Sequence, residues 1–203
     1  MYRKFKKKEY YTEKAKREGY PARSIYKLKE IDAKYRIINE GDKVLDLGCS
    51  PGSWLLYVSE KVGNNGKVVG IDKDMIMLEQ RKNIVFYQRN IFDMDESDFS
   101  AIGREYNSVI SDLAPFTSGI KSVDAARSLE LCEKAFEITL SMLKSGGNFV
   151  CKIFEGGESD EFIRRLSHRF QSLKRVRPAA VAKGSKELYV VCKGFKSEQS
   201  SNV

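Results

Sequence analysis

The sequence predicts an α/β fold, a mostly parallel sheet with helices packed on both faces. Three observations predict it. Short apolar, β-branched runs alternate along the chain with amphipathic helical stretches. One run, Val44-Leu-Asp-Leu47, breaks into a loop with glycines at 48 and 52 and then turns helical from Trp54. The next, Val68-Val-Gly-Ile-Asp72, ends in a carboxylate 20 residues past Gly52. Strand, glycine loop and helix, then a strand ending in an acid, is how α/β proteins bring bare backbone and a ribose-binding carboxylate to a nucleoside.

Taken in order, Met1 to Lys8 reads as a basic, mobile tail. From Pro21 a helix is predicted, because Ile25, Leu28, Ile31 and Tyr35 recur at three to four residues; Lys27 lies at the edge of that stripe. Asn39-Glu-Gly-Asp42 turns into a strand over 43–47. After the glycine loop and its helix, Gly63-Asn-Asn-Gly66 turns into a strand over 67–71. Ile84-Val-Phe-Tyr87 is a third strand, closing on Asn90 and a loop through Asp93. A short helix fits 95–102, and Ser108-Val-Ile-Ser-Asp112 is a fourth strand, broken by Pro115 and the loop Phe116-Thr-Ser-Gly119. A long amphipathic helix over 123–143 stops at Gly146-Gly147. Strands over 148–154, 172–176 and 187–192 and a helix over 159–170 complete a seven-stranded count. The last strand follows the sixth without a helical crossover, so it should run antiparallel. The expectation is one domain over 1–203, with a basic N-terminal arm at 1–20 and a polar tail at 196–203.

Composition narrows the function. No window approaches 18 consecutive apolar residues, which excludes a spanning helix, and the basic N-terminus lacks the apolar core of a signal peptide. A cytoplasmic protein is expected. Cys49, Cys132, Cys151 and Cys192 lack metal-ligand spacing and read as buried thiols, and His168, the one histidine, reads as surface. No metal site and no histidine-based triad is expected. The net charge of +8 sits at one end: residues 1–36 hold thirteen Lys/Arg against five Asp/Glu. A second tract, 162–186, holds eight Lys/Arg and no acid. Two basic tracts flanking a nucleoside-type site point to a nucleic-acid partner.

In such a sheet the chemistry lies beyond the carboxyl ends of the strands. Asp72, Asn90, Asp112 and Lys152 all fall at or near those ends. Lys152 interrupts an apolar strand between Cys151 and Ile153. Its plain reading is a buried stem with its head in water; its functional reading is a paired amine beside Asp112. Glu187 opens the antiparallel strand, at the same edge as the ends of the others, so Lys152, Asp112 and Glu187 could converge, with Lys27 entering from the first helix.

These residues carry a resemblance. Tyr26-Lys-Leu28, Leu45-Asp-Leu-Gly48, Pro51-Gly-Ser-Trp54, Ser111-Asp-Leu-Ala-Pro115, Cys151-Lys-Ile-Phe-Glu-Gly156 and Ser185-Lys-Glu-Leu-Tyr-Val190 stand together and in order. In this the chain resembles, from about Tyr20 to Val191, the FtsJ/RrmJ-type RNA ribose 2′-O-methyltransferases. The resemblance implies a Rossmann-like class I methyltransferase fold and S-adenosylmethionine as methyl donor. It places the family's catalytic set on Lys27, Asp112, Lys152 and Glu187, and its cofactor contacts on Gly52, Trp54, Asp72, Asn90 and Asp112. It implies action without metal on RNA, most simply a uridine of large-subunit ribosomal RNA, with the transfer-RNA anticodon loop as runner-up; a monomer without a membrane partner is expected. Three positions depart from the family pattern: Asn90 where Asp is common, Ser53 where a second glycine is common, and Phe116 where Asn is common. The amide oxygen of Asn90 can still accept from an adenine amino group, with altered binding expected.

The implied mechanism makes Lys152 the general base for the hydroxyl proton. Burial and the charge of Lys27 favour its neutral form, whereas Asp112 and Glu187 favour the charged one. Two rivals share part of the evidence. A dehydrogenase would use Gly-x-Gly-x-x-Gly where this loop reads Gly48-Cys-Ser-Pro-Gly-Ser-Trp54. A non-catalytic RNA-binding module would have no use for Lys152 within an apolar strand.

Overall fold

A computed structural model describes residues 2–182 and 184–197, with side chains from Glu9 onward. In chain order the elements are α1 (Tyr2–Arg17), α2 (Ile25–Tyr35), β1 (Lys43–Leu47), α3 (Ser53–Val62), β2 (Lys67–Asp72), β3 (Ile84–Gln88), a 3-10 turn (Ile91–Asp93), α4 (Glu96–Ile102), β4 (Tyr106–Ser111), α5 (Lys121–Met142), β5 (Leu143–Phe154), α6 (Ser159–Arg169), β6 (Phe170–Val176) and β7 (Glu187–Phe195). The strands form one seven-stranded sheet in the order β3-β2-β1-β4-β5-β7-β6. β1 to β5 pair in parallel, and β7 lies antiparallel between β5 and β6. Strand order reverses between β1 and β4, which is where an open α/β sheet leaves a crevice.

Side chains alternate across a strand, so a strand covered on both faces must be apolar at consecutive positions. The central strands obey this. Leu45, Val109 and Phe149 enter a core with Ile138 of α5 and Leu166 of α6. Their neighbours Val44, Ile110 and Val150 enter a second core with Ile25 and Leu28 of α2 and Leu55 and Val58 of α3. At Gly70 a Cβ would lie 2.8 Å from the Leu55 side chain and 2.9 Å from Cys49 Sγ, so β2 and α3 approach closer than any side chain permits. Asp32, buried at the end of α2, accepts from the amides of Ile37 and Ile38 at 3.0 Å each and from Tyr57 Oη at 2.7 Å. This satisfied carboxylate fixes the α2–β1 connection onto α3.

The structure corrects the sequence reading at three places. The segment read as a mobile tail is helical from Tyr2; no glycine or proline interrupts it before Gly19, whose φ of 78° ends it. Ala15 is buried, and Tyr11 packs its ring 5.1 Å from that of Tyr26, which docks the end of α1 on α2. The long helix stops at Met142, before the glycines, because Leu143 turns inward as the first residue of β5 and pairs with Tyr106. The register then shifts between Tyr106 and Ser108, and Gly146, with φ of 77°, lies in the extra β5 chain that absorbs the shift. β4 ends at Ser111, which leaves Asp112 just beyond the sheet. Met1, Lys183 and the end of the polar tail lie outside the described residues. No helix is long and apolar enough to cross a membrane among the described residues.

One buried charge has no such partners as Asp32. Asp46 stands in β1 between Gly70 and Ile110, fully buried, and neither carboxylate oxygen has a hydrogen-bond partner among the described residues. Burial, reinforced by the charges of Asp112 and Asp72, pushes its carboxyl well above the usual range. A carboxyl raised in the folded state adds stability that is complete below its unfolded-chain value and is lost as pH rises through the folded value. Asp46→Asn should therefore raise the thermal midpoint by an increment that grows across the pH range above the ordinary carboxylate value. Melting curves across that range would contradict this if the increment did not change with pH.

Candidate active site

The alternation that builds the two cores also sorts the polar residues. Asp112 and Lys152 fall two residues past Ile110 and Val150, and Glu187 two before Tyr189, so all three share the sheet face covered by α2. In register Lys152 pairs with Tyr189 and Phe154 with Glu187, which brings the start of antiparallel β7 to the ends of β4 and β5. Lys27, in the first turn of α2, reaches across from above.

The four charged groups meet. Lys27 Nζ is 2.6 Å from Glu187 Oε1 and 4.0 Å from Asp112 Oδ1. Lys152 Nζ is 3.0 Å from Asp112 Oδ1 and also donates to the Asp112 carbonyl oxygen. Tyr189 donates its phenolic hydrogen to Asp112 Oδ1 at 2.5 Å, and the same hydroxyl lies 3.1 Å from Glu187 Oε1. Side-chain exposure is 11% for Lys27, 6% for Lys152 and 17% for each acid, so water reaches the carboxylates but hardly the amines. Burial opposes the charge on Asp112. The ammonium groups of Lys152 and then Lys27, with the Tyr189 hydroxyl, outweigh it and hold the carboxyl below the usual carboxylate range. Burial, then the charges of Asp112 and Glu187, push the Tyr189 phenol well up, so it remains a hydrogen donor.

Asp112 also belongs to a cavity of about 560 Å³ at the switch point, lined in addition by Gly48, Ser50, Asp72, Asn90 and Leu113. Gly48 has φ of 79° and a Cβ there would meet Leu113 at 2.6 Å, so the loops after β1 and β4 can close only over a glycine. Asp72 Oδ2 accepts from the Ser50 amide at 2.8 Å and Oδ1 from the Asp74 amide at 2.9 Å. Each oxygen keeps a lone pair for a ligand, while the carboxylate clamps the glycine loop. Asn90 caps the 3-10 turn by accepting from the Phe92 amide at 3.2 Å, which leaves its amide hydrogens and one lone pair available.

Gly52 and Trp54 are placed differently from the other sequence candidates. Neither lines the cavity. Gly52 caps α3 with φ of 104°, and the buried Trp54 donates its indole hydrogen to the Ser24 carbonyl at 3.1 Å. Their backbone amides at the start of α3, not the indole, are what they can offer a ligand. Ser53 is buried and accepts from the Ala22 amide at 2.7 Å, so the hydroxyl ties α3 to the segment before α2. Lys27, Lys152 and Glu187 sit beside the cavity and join it through Asp112. Sequence reasoning missed Tyr189, which looked like one more β-forming aromatic; its place two residues after Glu187 was the available signal. His168 is exposed and the four cysteines are buried free thiols, as expected from their spacing.

Comparison with known proteins bears on this geometry. Residues 20–195 match the model of the FtsJ-like methyltransferase family. The chain is 45% identical over 188 residues to ribosomal RNA large subunit methyltransferase E of Desulforapulum autotrophicum, covering 93% of each chain. It is 43% identical over 196 residues to the protein of the same name from Desulfatibacillum aliphaticivorans, covering 97% of this chain and 94% of that one. A Plasmodium falciparum structure assigned as a ribosomal RNA methyltransferase superposes with a TM-score of 0.78 at 29% identity, over 87% of this chain and 98% of that one. A matching family model over nearly the whole chain, with the charged cluster and cavity at the switch point of its sheet, establishes that this protein belongs to the FtsJ-like methyltransferase family.

Proposed function

We propose that the chain methylates a ribose 2′-hydroxyl of RNA, a uridine of large-subunit ribosomal RNA, with S-adenosylmethionine as donor, acting in the cytoplasm as a monomer. The observation that carries this reading is the sharing of Asp112 between the cavity and the Lys27–Asp112–Lys152–Glu187 cluster. The relatives named for large-subunit ribosomal RNA supply the substrate class.

The residues fit the donor. A cavity of about 560 Å³ is in the range of small-molecule sites. The free lone pairs of Asp72 suit ribose hydroxyls, Asn90 suits a base edge, and the amides of Gly52 and Trp54 at the start of α3 suit polar oxygens or nitrogens. Bound there, the donor supplies a methyl group on a sulfonium, ready for displacement.

The chain's own part is to position the hydroxyl and take its proton. Alignment of the reacting atoms can supply roughly 7–11 kcal/mol in favourable cases. Lys152 is the proposed base: the ammonium paired with Asp112, Nζ 3.0 Å from Oδ1, first releases a proton to water, and the free amine then accepts the hydroxyl proton. Asp112 favours the ammonium that forms when Lys152 gains the proton, and it holds the amine beside the one residue that the cluster and the cavity share. Lys27 offsets part of the acids' charge, with Glu187 holding it at 2.6 Å. Tyr189 keeps Asp112 in one orientation.

RNA is held by the basic tracts. α1 ends with Lys14, Lys16 and Arg17 in its last turn. The connection from β6 to β7, within the second tract, is strapped onto α2 and the segment just before it: the Ala179 amide donates to Glu30 at 2.7 Å and Arg23 donates to the Ala180 carbonyl at 3.4 Å. Both tracts thus flank the helix that carries Lys27.

Large ribosomal subunits from cells lacking this protein should gain a single 2′-O-methyl mark when incubated with it and the donor. Lys152→Ala should lower that rate by roughly 10²–10⁴-fold while S-adenosylhomocysteine affinity, measured by calorimetry, stays near wild type. A variant that methylates at the wild-type rate would remove Lys152 from the mechanism. The affinity for RNA should fall steeply with salt, and Lys16→Gln with Arg17→Gln should reduce the slope of log affinity against log salt by about one to two. An unchanged slope would take α1 out of the RNA-binding surface.

A further inference from the structure

Phe116 is the side chain that the cavity, the charged cluster and the cores leave unexplained. It lines the same cavity as Asp112, yet it is 90% exposed. A lone exposed apolar residue needs no explanation, but this one is not alone. Among the described residues, five of the seven large hydrophobics left exposed, Met75, Met77, Phe92, Phe116 and Ile120, lie on the segments that follow β2, β3 and β4, and two of them, Phe92 and Phe116, line this cavity. Phe116 is the most exposed aromatic of them.

The loop that presents it is held. Arg127 of α5 donates to the Phe116 carbonyl oxygen at 3.2 Å. Asp124, also on α5, accepts from the Ser118 amide at 2.6 Å, the Ser118 hydroxyl at 2.8 Å and the Gly119 amide at 3.2 Å. Pro115 restricts the backbone immediately before it. The backbone is anchored on both sides while the ring stays in solvent, so little further order is lost when something covers the ring.

A ribose whose hydroxyl reaches a concave site must carry its nucleotide out of the helical stack. The unstacked base then loses its neighbours and gains by finding another flat apolar face. We propose that Phe116 is that face: a stacking platform for a nucleobase of the RNA substrate, either the one on the reacting ribose or its neighbour. This rests on the RNA-methylation reading above and names the substrate group that Phe116 meets. The site is assembled from a rigid loop, an open aromatic ring and continuity with the cavity that holds Asp112.

The test uses the full chain as wild type, Phe116→Leu and Phe116→Trp, with large ribosomal subunits as acceptor. Leucine keeps an apolar side chain but removes the ring; tryptophan keeps a ring. The Leu variant should lose roughly 5- to 100-fold in kcat/KM for subunits, chiefly through KM, and the Trp variant should stay within about threefold of wild type. S-adenosylhomocysteine affinity should be the same in all three. Wild-type kcat/KM in the Leu variant overturns the platform, and so does an equal loss in the Leu and Trp variants. A parallel loss of S-adenosylhomocysteine affinity would also overturn it, by making the ring a cover for the donor. If the wild type itself transfers no methyl group to subunits or to free ribosomal RNA, the methylation reading falls and the platform with it; active wild type with an unaffected Leu variant removes the platform alone.

Discussion

Two ammonium groups and two carboxylates share a space at the end of the sheet from which water is mostly excluded. Each taken singly would be costly there, because a buried charge without a partner loses several kcal/mol of hydration. Together they satisfy one another: Lys27 on Glu187, Lys152 on Asp112, and Tyr189 bridging the acids. The contrast with Asp46 is instructive. That carboxylate is fully buried with no hydrogen-bond partner among the described residues, and its carboxyl is pushed up; the Asp112 side chain, 17% exposed and paired with two ammonium groups, is held down. Partners and a share of solvent separate the two.

Topology makes the partnership possible. The antiparallel placement of β7 beside β5 brings the beginning of one strand to the end of the other, so Glu187 stands opposite Phe154 and Tyr189 opposite Lys152. The reversal of strand order between β1 and β4 opens a cavity beside the same edge, and Asp112, one residue past β4, belongs to both. Helix α2 closes the cluster from above, anchored by the three bonds to Asp32 at its end and by the ties of Ser53 and Trp54 at its beginning. An insertion that shifted β7 by one residue would turn Glu187 and Tyr189 to the opposite face.

Much of this was legible in the sequence because it rests on period and interruption. Consecutive apolar residues in 43–47, 67–71 and 148–154 mark strands covered on both faces, and Lys152 stands out as the one charge inside the last of them. What was not legible has physical causes too. Leu143 continues the apolar stripe of α5 and equally suits a strand, so only pairing with Tyr106 decides where the helix ends. The N-terminal residues carry too much positive charge to suggest order, yet helix propensity without a glycine or proline suffices, with Ala15 and Tyr11 as the anchor. Trp54 reads from sequence as a ligand contact, but its indole faces the Ser24 carbonyl, a partner set by tertiary packing alone. Tyr189 hid in a run of β-forming residues because its hydroxyl matters only once Asp112, 77 positions away in the chain, is beside it.

The central claim is that the four charged side chains act as one coupled unit and not as four independent contributors. A double-mutant cycle on methyl transfer between Lys27 and Glu187, which lie 2.6 Å apart, tests it most directly. The kcat/KM of Lys27→Met, Glu187→Gln and the double variant should be strongly non-additive, the double losing little more than the worse single change. Losses that simply multiply would show that the two side chains contribute independently and would contradict the account.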